Sequence, residues 1–139
     1  MMANLEVEPQ EPEDHADPEP VNGVVAVLGF TGDWLGTGML YCSERFACRV
    51  GSAMIMTEVS EVNGDVLDGI GEMANMILGN FKEAMETHVG PLQLSVPTVV
   101  YGKNFSTRTP LKAIWTIIPF KSGDETFEVR VCIKKKMKY

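Results

Sequence analysis

Continuous apolar runs predict strands near both ends of the chain, and apolar residues at helical spacing predict helices between them. A continuous apolar run, Val24–Phe30, precedes a glycine-rich segment and a second apolar stretch, Gly38–Cys42. Together they predict a β-hairpin. Apolar residues at helical spacing then predict a helix over Glu44–Met56, with Ser43 as its N-cap.

A second and longer helix is predicted from Asp65 to about Thr87, where Gly90 and Pro91 stop it. At 100° per residue, six of its apolar side chains fall on one face. We expect this face to pack on a sheet. Its members are Ile70, Met73, Ala74, Ile77, Leu78 and Phe81.

The last third of the chain is rich in strand-forming residues. Short extended pieces are predicted at Leu92–Val96 and Thr98–Tyr101, and longer strands at Leu111–Phe120 and Glu125–Lys134. A hairpin turn joins the last two. The predicted fold class is α/β, or α+β: a single domain with two main helices on a largely antiparallel sheet.

Charge is concentrated at the start of the chain. Among 139 residues there are 19 acidic side chains and 12 Lys and Arg, for a net charge of −7. Residues 1–20 contain seven of the acids, four prolines and no Lys or Arg. We therefore expect residues 1–21 to be a disordered acidic tail and residues 22–139 to form the domain. A formally neutral body disfavours nucleic-acid binding and a polybasic membrane anchor.

Candidate chemistry outside the long helix is sparse. Cys42, Cys48 and Cys132 form no CxxC pair, so we expect reduced thiols that pack as small apolar side chains. His15 and His88 show no pairing with a nucleophile and no metal-ligand spacing. No apolar run reaches the roughly 18 residues of a membrane span, and no signal peptide is recognisable. We expect a cytoplasmic protein without a metal of its own.

The long helix carries a polar stripe opposite its apolar face. With Asp68 at 0°, Glu72 lies at about 40° and Asn75 at about 340°. Gly71 and Gly79 fall beside this stripe, although an exposed glycine within a helix costs roughly 1 kcal/mol relative to alanine. Their missing side chains would let another backbone or a bulky partner come close. The alternative is an ordinary solvated face with scattered glycines.

A carboxylate and an amide one turn apart do not form a nucleophile. An amide can, however, accept one hydrogen bond and donate another, and so orient a water molecule. In phosphoryl transfer most of the catalysis is such positioning. The pair would supply half of an active site to a phosphorylated partner that holds its own metal.

These residues also resemble a known family. The segments 68–79, DGIGEMANMILG, and 95–102, SVPTVVYG, are similar to the CheX branch of the CheC, CheX and FliY chemotaxis phosphatases. The family pattern is Asp or Ser, three residues, Glu, two residues, Asn, and a proline roughly 22 positions later. Asp68, Glu72, Asn75 and Pro97 fill these four positions. The resemblance extends over about residues 22–135 and includes the strand order.

The resemblance implies a two-component signalling phosphatase that acts on the phospho-aspartate of a CheY-like receiver. It implies that Asn75 orients the hydrolytic water, that Glu72 contacts the receiver's lysine and that Asp68 completes the motif. Pro97 would fix the neighbouring backbone, because its φ is locked. Mg²⁺ would be held by the receiver, so no cofactor is expected in this chain.

The family also explains the two glycines, because a helix with Gly71 and Gly79 beside its motif fits more easily into a receiver's phosphate pocket. CheX-like proteins are dimers, so we expect a homodimer. One motif copy favours the CheX type over the two-copy CheC type. CheX-type members usually begin with a helix before the first strand. Here an acidic, proline-rich segment takes its place and would leave sheet surface bare.

Two other hypotheses are compatible with the sequence. One is a non-catalytic receiver-binding adaptor, or a flagellar-switch-like module, because the rotor proteins FliM and FliN are related in fold. Glu72 and Asn75 favour the enzyme, since a scaffold has no need of the pair. The other is a divergent protein that only dimerises and leaves the receiver's lifetime unchanged.

Overall fold

The computed structural model describes residues 8–9, 13–15, 21–105, 115–123 and 125–135. Eight strands and two helices occur within these residues. In chain order they are β1 Glu8–Pro9, β2 Glu13–His15, β3 Val21–Gly32, β4 Trp34–Cys42, α1 Glu44–Ile55, α2 Gly64–Val89, β5 Leu92–Leu94, β6 Thr98–Phe105, β7 Trp115–Ser122 and β8 Glu125–Lys135.

The sheet is built around β3 and β4. Its central order is β7, β8, β4, β3, with every described pair antiparallel. On its outer edge β3 pairs with β6 over Val21–Val27 and with β5 over Phe30–Gly32. The turn between β5 and β6, residues 95–97, therefore lies midway along one edge of β3. This arrangement confirms the predicted fold class.

Both helices begin at residues whose side chains cap them. The Phe46 amide donates to Ser43 Oγ at 3.0 Å, which confirms Ser43 as the N-cap of α1. The Val66 amide donates to Asn63 Oδ1 at 3.0 Å, so Asn63 is the N-cap of α2. Met56 and Gly90, with φ of 55° and 80°, terminate the two helices. The predicted boundaries were correct to within two residues.

The main core lies between the helices and one face of the sheet. Ile70, Met73, Ala74 and Leu78 of α2 are buried there, as predicted, against alternate residues of β3, β4 and β8. Ile77 and Phe81 pack at the margin and are only partly buried, so the apolar face is narrower than its periodicity indicates.

The opposite face of the sheet also contains buried residues near its centre. Val25 and Met39 are 0% and 2% exposed. The Arg130 guanidinium lies 4.3 Å from the centre of the Tyr41 ring and donates to Glu128 Oε2 at 2.8 Å. The sheet surface that we expected to be bare is therefore covered at these positions.

Two short pieces of the acidic segment pair with the edge of β7. Glu8 and Pro9 oppose Lys121 and Phe120, and Glu13–His15 oppose residues 115–117. An edge strand offers unpaired amides and carbonyls, and it tolerates proline. At these five residues the backbone differs from the expected disorder. The rest of residues 1–20, and residues 111–114 of a predicted strand, lie outside the described residues.

Neither described helix combines the length and hydrophobicity needed to cross a membrane. Cys42, Cys48 and Cys132 are free thiols. Burial, with smaller contributions from Cys48 and Glu125, raises the pKa of Cys42 to about 12, which is the behaviour of a packing residue and not of a nucleophile.

Glu86, near the end of α2, binds the first residue of β5, and we expect this contact to make the stability of the protein depend on pH. Its carboxylate accepts from the Leu92 amide at 2.9 Å and from Lys82 Nζ at 3.1 Å. The Leu92 hydrogen bond, followed by the Lys82 contact, lowers the pKa of Glu86. Its contribution is therefore complete above the ordinary pKa of 4.5 and is lost as the pH falls through the lower folded value.

Glu86→Gln should thus lower the melting temperature by a few degrees at pH 7, and this difference should shrink towards pH 3. Thermal unfolding at both pH values measures the effect. Glu83→Gln, an exposed change on the same helix, is the control and should behave as wild type. An equal deficit for Glu86→Gln at both pH values would contradict the prediction.

Candidate functional site

The three predicted polar residues of the long helix share one exposed side. Asp68, Glu72 and Asn75 are all exposed on successive turns of α2, whereas Ile70 and Ala74 between them are fully buried. The angular prediction is confirmed for the placement of the stripe. Because α2 packs through its opposite face, the sheet below holds the stripe in a fixed orientation.

The turn between β5 and β6 forms the second wall of a groove beside this stripe. Pro97, which lies 22 positions after Asn75 in the sequence, faces the same groove as the helix residues. The groove has a volume of about 740 Å³ and is lined by Gly64, Leu67, Asp68, Gly71, Glu72, Asn75, Leu94, Ser95, Val96, Pro97 and Val99. The fold thus brings together all four positions of the predicted motif.

Gly71 lets the two walls approach each other. A Cβ at this position would lie 3.1 Å from Val99 Cγ2 and 3.6 Å from Pro97 Cγ. Gly71 is buried, so the expectation of an exposed glycine is wrong here. Because Gly71 has no side chain, the β5–β6 segment of the same chain can pack against the helix here. Helical-wheel angles calculated from the sequence could not show this contact, because they place a residue on a helix without showing what packs against it.

Gly79 behaves differently. A Cβ there would have no heavy atom within 4 Å, and the residue is half-buried on the helix one turn beyond Asn75. The open space that we expected next to the stripe is present at this position. No neighbour in the described structure requires a glycine here.

The β5–β6 turn is tied to the sheet by Ser95. The Ser95 amide donates to the Gly29 carbonyl at 2.9 Å, and the Gly29 amide donates to Ser95 Oγ at 2.8 Å. Sequence reasoning did not single out Ser95, because its partner lies 66 residues away. Only the pairing of β3 with β5 brings the two together. These two hydrogen bonds hold the turn in place, with Pro97 next to Gly71 of α2.

The charges of the groove favour contact with a cationic partner. Among the described residues, its lining contains the carboxylates of Asp68 and Glu72 and no Lys or Arg. Within the described part of the chain, the side chains of Asp68, Glu72 and Asn75 make no hydrogen bond or ion pair. Two carboxylates and an amide are therefore free to contact a bound molecule. A phosphate group would need cations from elsewhere to approach them.

A second hollow contains none of the motif residues. It lies between the start of α1, the α1–α2 link and β6. The Tyr101 hydroxyl donates to Glu44 Oε1 at 2.9 Å, and Arg45 Nε lies 3.3 Å from Glu125 Oε1. Burial and the nearby Glu44 and Glu61 carboxylates raise the pKa of Cys48. Its described lining residues include neither an activated thiol nor a free carboxylate–amide pair.

His88 lies in the last turn of α2. Among the described residues, no group of three or more His, Cys, Asp and Glu side chains is arranged to hold a metal ion. The structure thus leaves the groove beside α2 as the candidate site.

Comparison with known proteins agrees with the motif. Residues 24–121 match the family described as chemotaxis phosphatase CheX. The chain belongs to this family. The predicted resemblance is therefore confirmed, and with it membership of a phosphatase family. The matched region includes the whole of α2 and the turn that contains Pro97.

Individual CheX proteins support the assignment. The CheY-P phosphatase CheX of Thermotoga maritima is 30% identical over an alignment of 118 residues, and the match covers 81% of this chain and 73% of the relative. The crystal structure of the chemotaxis protein CheX from Desulfovibrio desulfuricans is 27% identical, covers 96% of this chain and 89% of its own, and superposes with a TM-score of 0.85.

A third CheX structure extends the comparison of folds. It is the complex of CheX with CheY, BeF3 and Mg²⁺ from Borrelia burgdorferi. It is 21% identical, covers 95% of this chain and 85% of its own, and has a TM-score of 0.74. At this identity it shows that the fold is shared.

Proposed function

We propose that this CheX-family chain hydrolyses the aspartyl phosphate of a CheY-like receiver. The observation that carries the proposal is the groove in which Asp68, Glu72, Asn75 and Pro97 meet. The Thermotoga maritima relative is named a CheY-P phosphatase, and the Borrelia burgdorferi structure pairs CheX with CheY. Water attacks the phosphorus atom, the bond from phosphorus to the aspartate oxygen breaks, and inorganic phosphate and a free carboxylate result.

Asn75 is proposed to position the attacking water. Its amide is exposed over the groove and has no partner among the described residues. It can therefore accept a hydrogen bond from the water and donate one to a phosphoryl oxygen. A hundredfold acceleration requires about 2.7 kcal/mol of transition-state stabilisation, which is within the reach of one well-placed water.

Glu72 is proposed to contact the lysine of the receiver's phosphorylation site. It is exposed and lies on the same side of α2 as Asn75, one turn earlier. A charge-assisted hydrogen bond across the interface would fix the angle at which Asn75 enters. Asp68 extends the same negative surface by another turn.

The receiver, in this proposal, supplies all of the positive charge. The described residues that line the groove include no Lys or Arg, so free phosphate should be repelled. A phospho-aspartate already neutralised by Mg²⁺ and a lysine on the receiver removes this difficulty. The required Mg²⁺ is thus expected on the receiver and not on this chain.

We also propose that the chain forms a homodimer. In the described residues, β6 pairs only with β3, and Val100 and Tyr101 on it are 41% and 45% exposed. An open strand edge with apolar side chains is suited to pairing with a second copy. Sedimentation equilibrium measures the mass directly.

The proposed function is tested by phosphate release from a phosphorylated CheY-like receiver. Wild type should shorten the receiver's phosphorylated lifetime, and a Glu72→Ala, Asn75→Ala double variant should not. The matched control is Asn80→Ala with Glu83→Ala, which removes the same two side chains from exposed positions outside the groove. This control should retain wild-type activity.

Other outcomes would redirect the proposal. Binding of the phosphorylated receiver without phosphate release would favour the adaptor. If the double variant still accelerated dephosphorylation of the receiver, the active site could not be this groove. Equal loss in the double variant and in the control would mean that helix stability, and not the motif, was being measured.

Gly79 offers a separate test of the docking surface. Since a Cβ meets nothing there, Gly79→Ala should stabilise the fold by roughly 0.5–1 kcal/mol with activity retained. Gly79→Leu should also fold, but its side chain projects one turn from Asn75 and should obstruct the receiver. Denaturant unfolding gives the stability, and phosphate release at several receiver concentrations gives KM. Wild-type KM for Gly79→Leu would exclude this position from the interface.

A further inference from the structure

Val96 is an exposed apolar residue at the edge of the proposed site. Its side chain is 85% exposed at the centre of the 95–97 turn, and only Met56 among the large apolar residues described is more exposed. It lines the same groove as Glu72 and Asn75. A branched apolar side chain in this place gains free energy only when something covers it.

The turn presents this side chain rigidly. Ser95 is bound to Gly29 through both its amide and its hydroxyl, at 2.9 and 2.8 Å. Ser95 Oγ also donates to the Val96 carbonyl at 3.3 Å. On the other side, Pro97 has a fixed φ and packs close to Gly71 of α2. The backbone on both sides of Val96 therefore loses little conformational entropy when a partner covers the side chain.

The charged part of the groove cannot supply much affinity alone. Asp68 and Glu72 are exposed, and exposed ion pairs contribute little to binding and are screened by salt. An apolar contact next to them would supply affinity that persists in salt. Val96 is the most exposed apolar residue that lines the groove.

We propose that Val96 is a binding residue for the receiver, packing on an apolar patch of the receiver beside its phosphorylation site, and that Ser95 is its positioning residue. This inference rests on the proposed function, and it assigns different roles to the residues of the groove. Glu72 and Asn75 act on the phosphorylation site, whereas Val96 adds apolar affinity for the receiver and takes no part in the reaction. Ser95 acts through the turn and does not touch the reacting atoms.

The test separates KM from kcat for phosphate release and adds direct binding to a receiver carrying beryllofluoride in place of phosphate. Val96→Asp should raise KM and the dissociation constant about tenfold, as expected when one valine side chain is no longer buried, with kcat within about twofold. Val96→Ala should lie between. Met56→Asp is the matched control: it is 88% exposed with φ of 55°, a conformation that Asp tolerates, and should match wild type.

Ser95 is tested through the same two parameters. Ser95→Ala leaves the Gly29 amide without its acceptor, so the turn should loosen and KM should rise about threefold with kcat retained. Ser95→Thr keeps the hydroxyl and should restore KM. Melting temperatures establish that every variant is folded at the assay temperature. A loss of kcat in Ser95→Ala, or no rescue by threonine, would overturn the positioning role.

The outcomes distinguish this inference from the proposed function. If wild type accelerates phosphate release while Val96→Asp and Val96→Ala retain wild-type KM and binding, the inference fails and the function stands. If wild type binds the beryllofluoride receiver without turnover, the function fails, and weaker binding by Val96→Asp would still support the contact. Absence of wild-type binding overturns both. A changed sedimentation mass of Val96→Asp with unchanged KM would assign Val96 to a contact between copies of this chain.

Discussion

Asn75→Ala should abolish acceleration of receiver dephosphorylation and leave both the fold and receiver binding in place. The side chain is exposed and packs in no core cluster, so its removal opens no cavity. Alanine is also the best helix former. Any loss of activity therefore reports on the groove and not on the stability of α2.

The expected size of the fall in rate follows from the free energy that one positioned water contributes to the transition state. Without the amide, attack on the phosphorus atom depends on a water with random orientation, and the rate should fall by about a hundredfold, or 2.7 kcal/mol in the barrier. The acyl phosphate would then decay at close to the receiver's own rate. Asn75→Asp is a sharper variant, because it keeps the size and removes the donor.

Three measurements make this prediction decisive. Single-turnover phosphate release gives the chemical step, binding to a beryllofluoride receiver gives affinity, and thermal unfolding gives stability. Asn75→Ala should change only the first. Glu72→Ala should weaken binding as well as turnover, because it removes a contact across the interface. Asn80→Ala, an exposed amide on α2 outside the groove, should match wild type. Unchanged turnover in Asn75→Ala would contradict the role assigned to the amide.

Periodicity was sufficient to predict α2 and the exposed side that contains the motif. The buried positions Ile70, Ala74 and Leu78 recur every four residues, and this recurrence fixes the opposite side as well. Helical geometry is local, so sequence distances along α2 convert directly into angles. The same reasoning predicted the N-cap of α1, because capping depends only on neighbouring residues.

Long-range contacts were beyond this kind of prediction. That Gly71 faces Pro97, and that Ser95 is bound to Gly29, depends on β5 and β6 sharing one edge of β3. Nothing in the local pattern of either strand specifies this pairing. Only the family motif, through the spacing of Asn75 and Pro97, linked the two walls of the groove before the structure did.

Replacing Leu78 by aspartate should unfold the protein. Leu78 is fully buried, and a Cβ at Gly38 would lie only 2.9 Å from either of its terminal methyl carbons. Helix α2 and strand β4 therefore meet here without space for water. A buried, unpaired carboxylate costs several kcal/mol, and the lost leucine contacts add about 2–5 kcal/mol. Their sum is comparable with the roughly 5–15 kcal/mol that stabilises a whole domain.

A graded series makes the prediction quantitative and separates packing from catalysis. Leu78→Ala should lower the free energy of unfolding by about 2–5 kcal/mol, with kcat unchanged wherever the protein remains folded, because the motif faces the other side of α2. Met76→Asp places the same charge two residues away at a position that is 46% exposed, and should remain folded. Denaturant unfolding followed by circular dichroism measures all three variants. Cooperative unfolding of Leu78→Asp near the wild-type midpoint would mean that α2 does not pack on β4 through this residue, and the orientation of the motif inferred from that packing would fail with it.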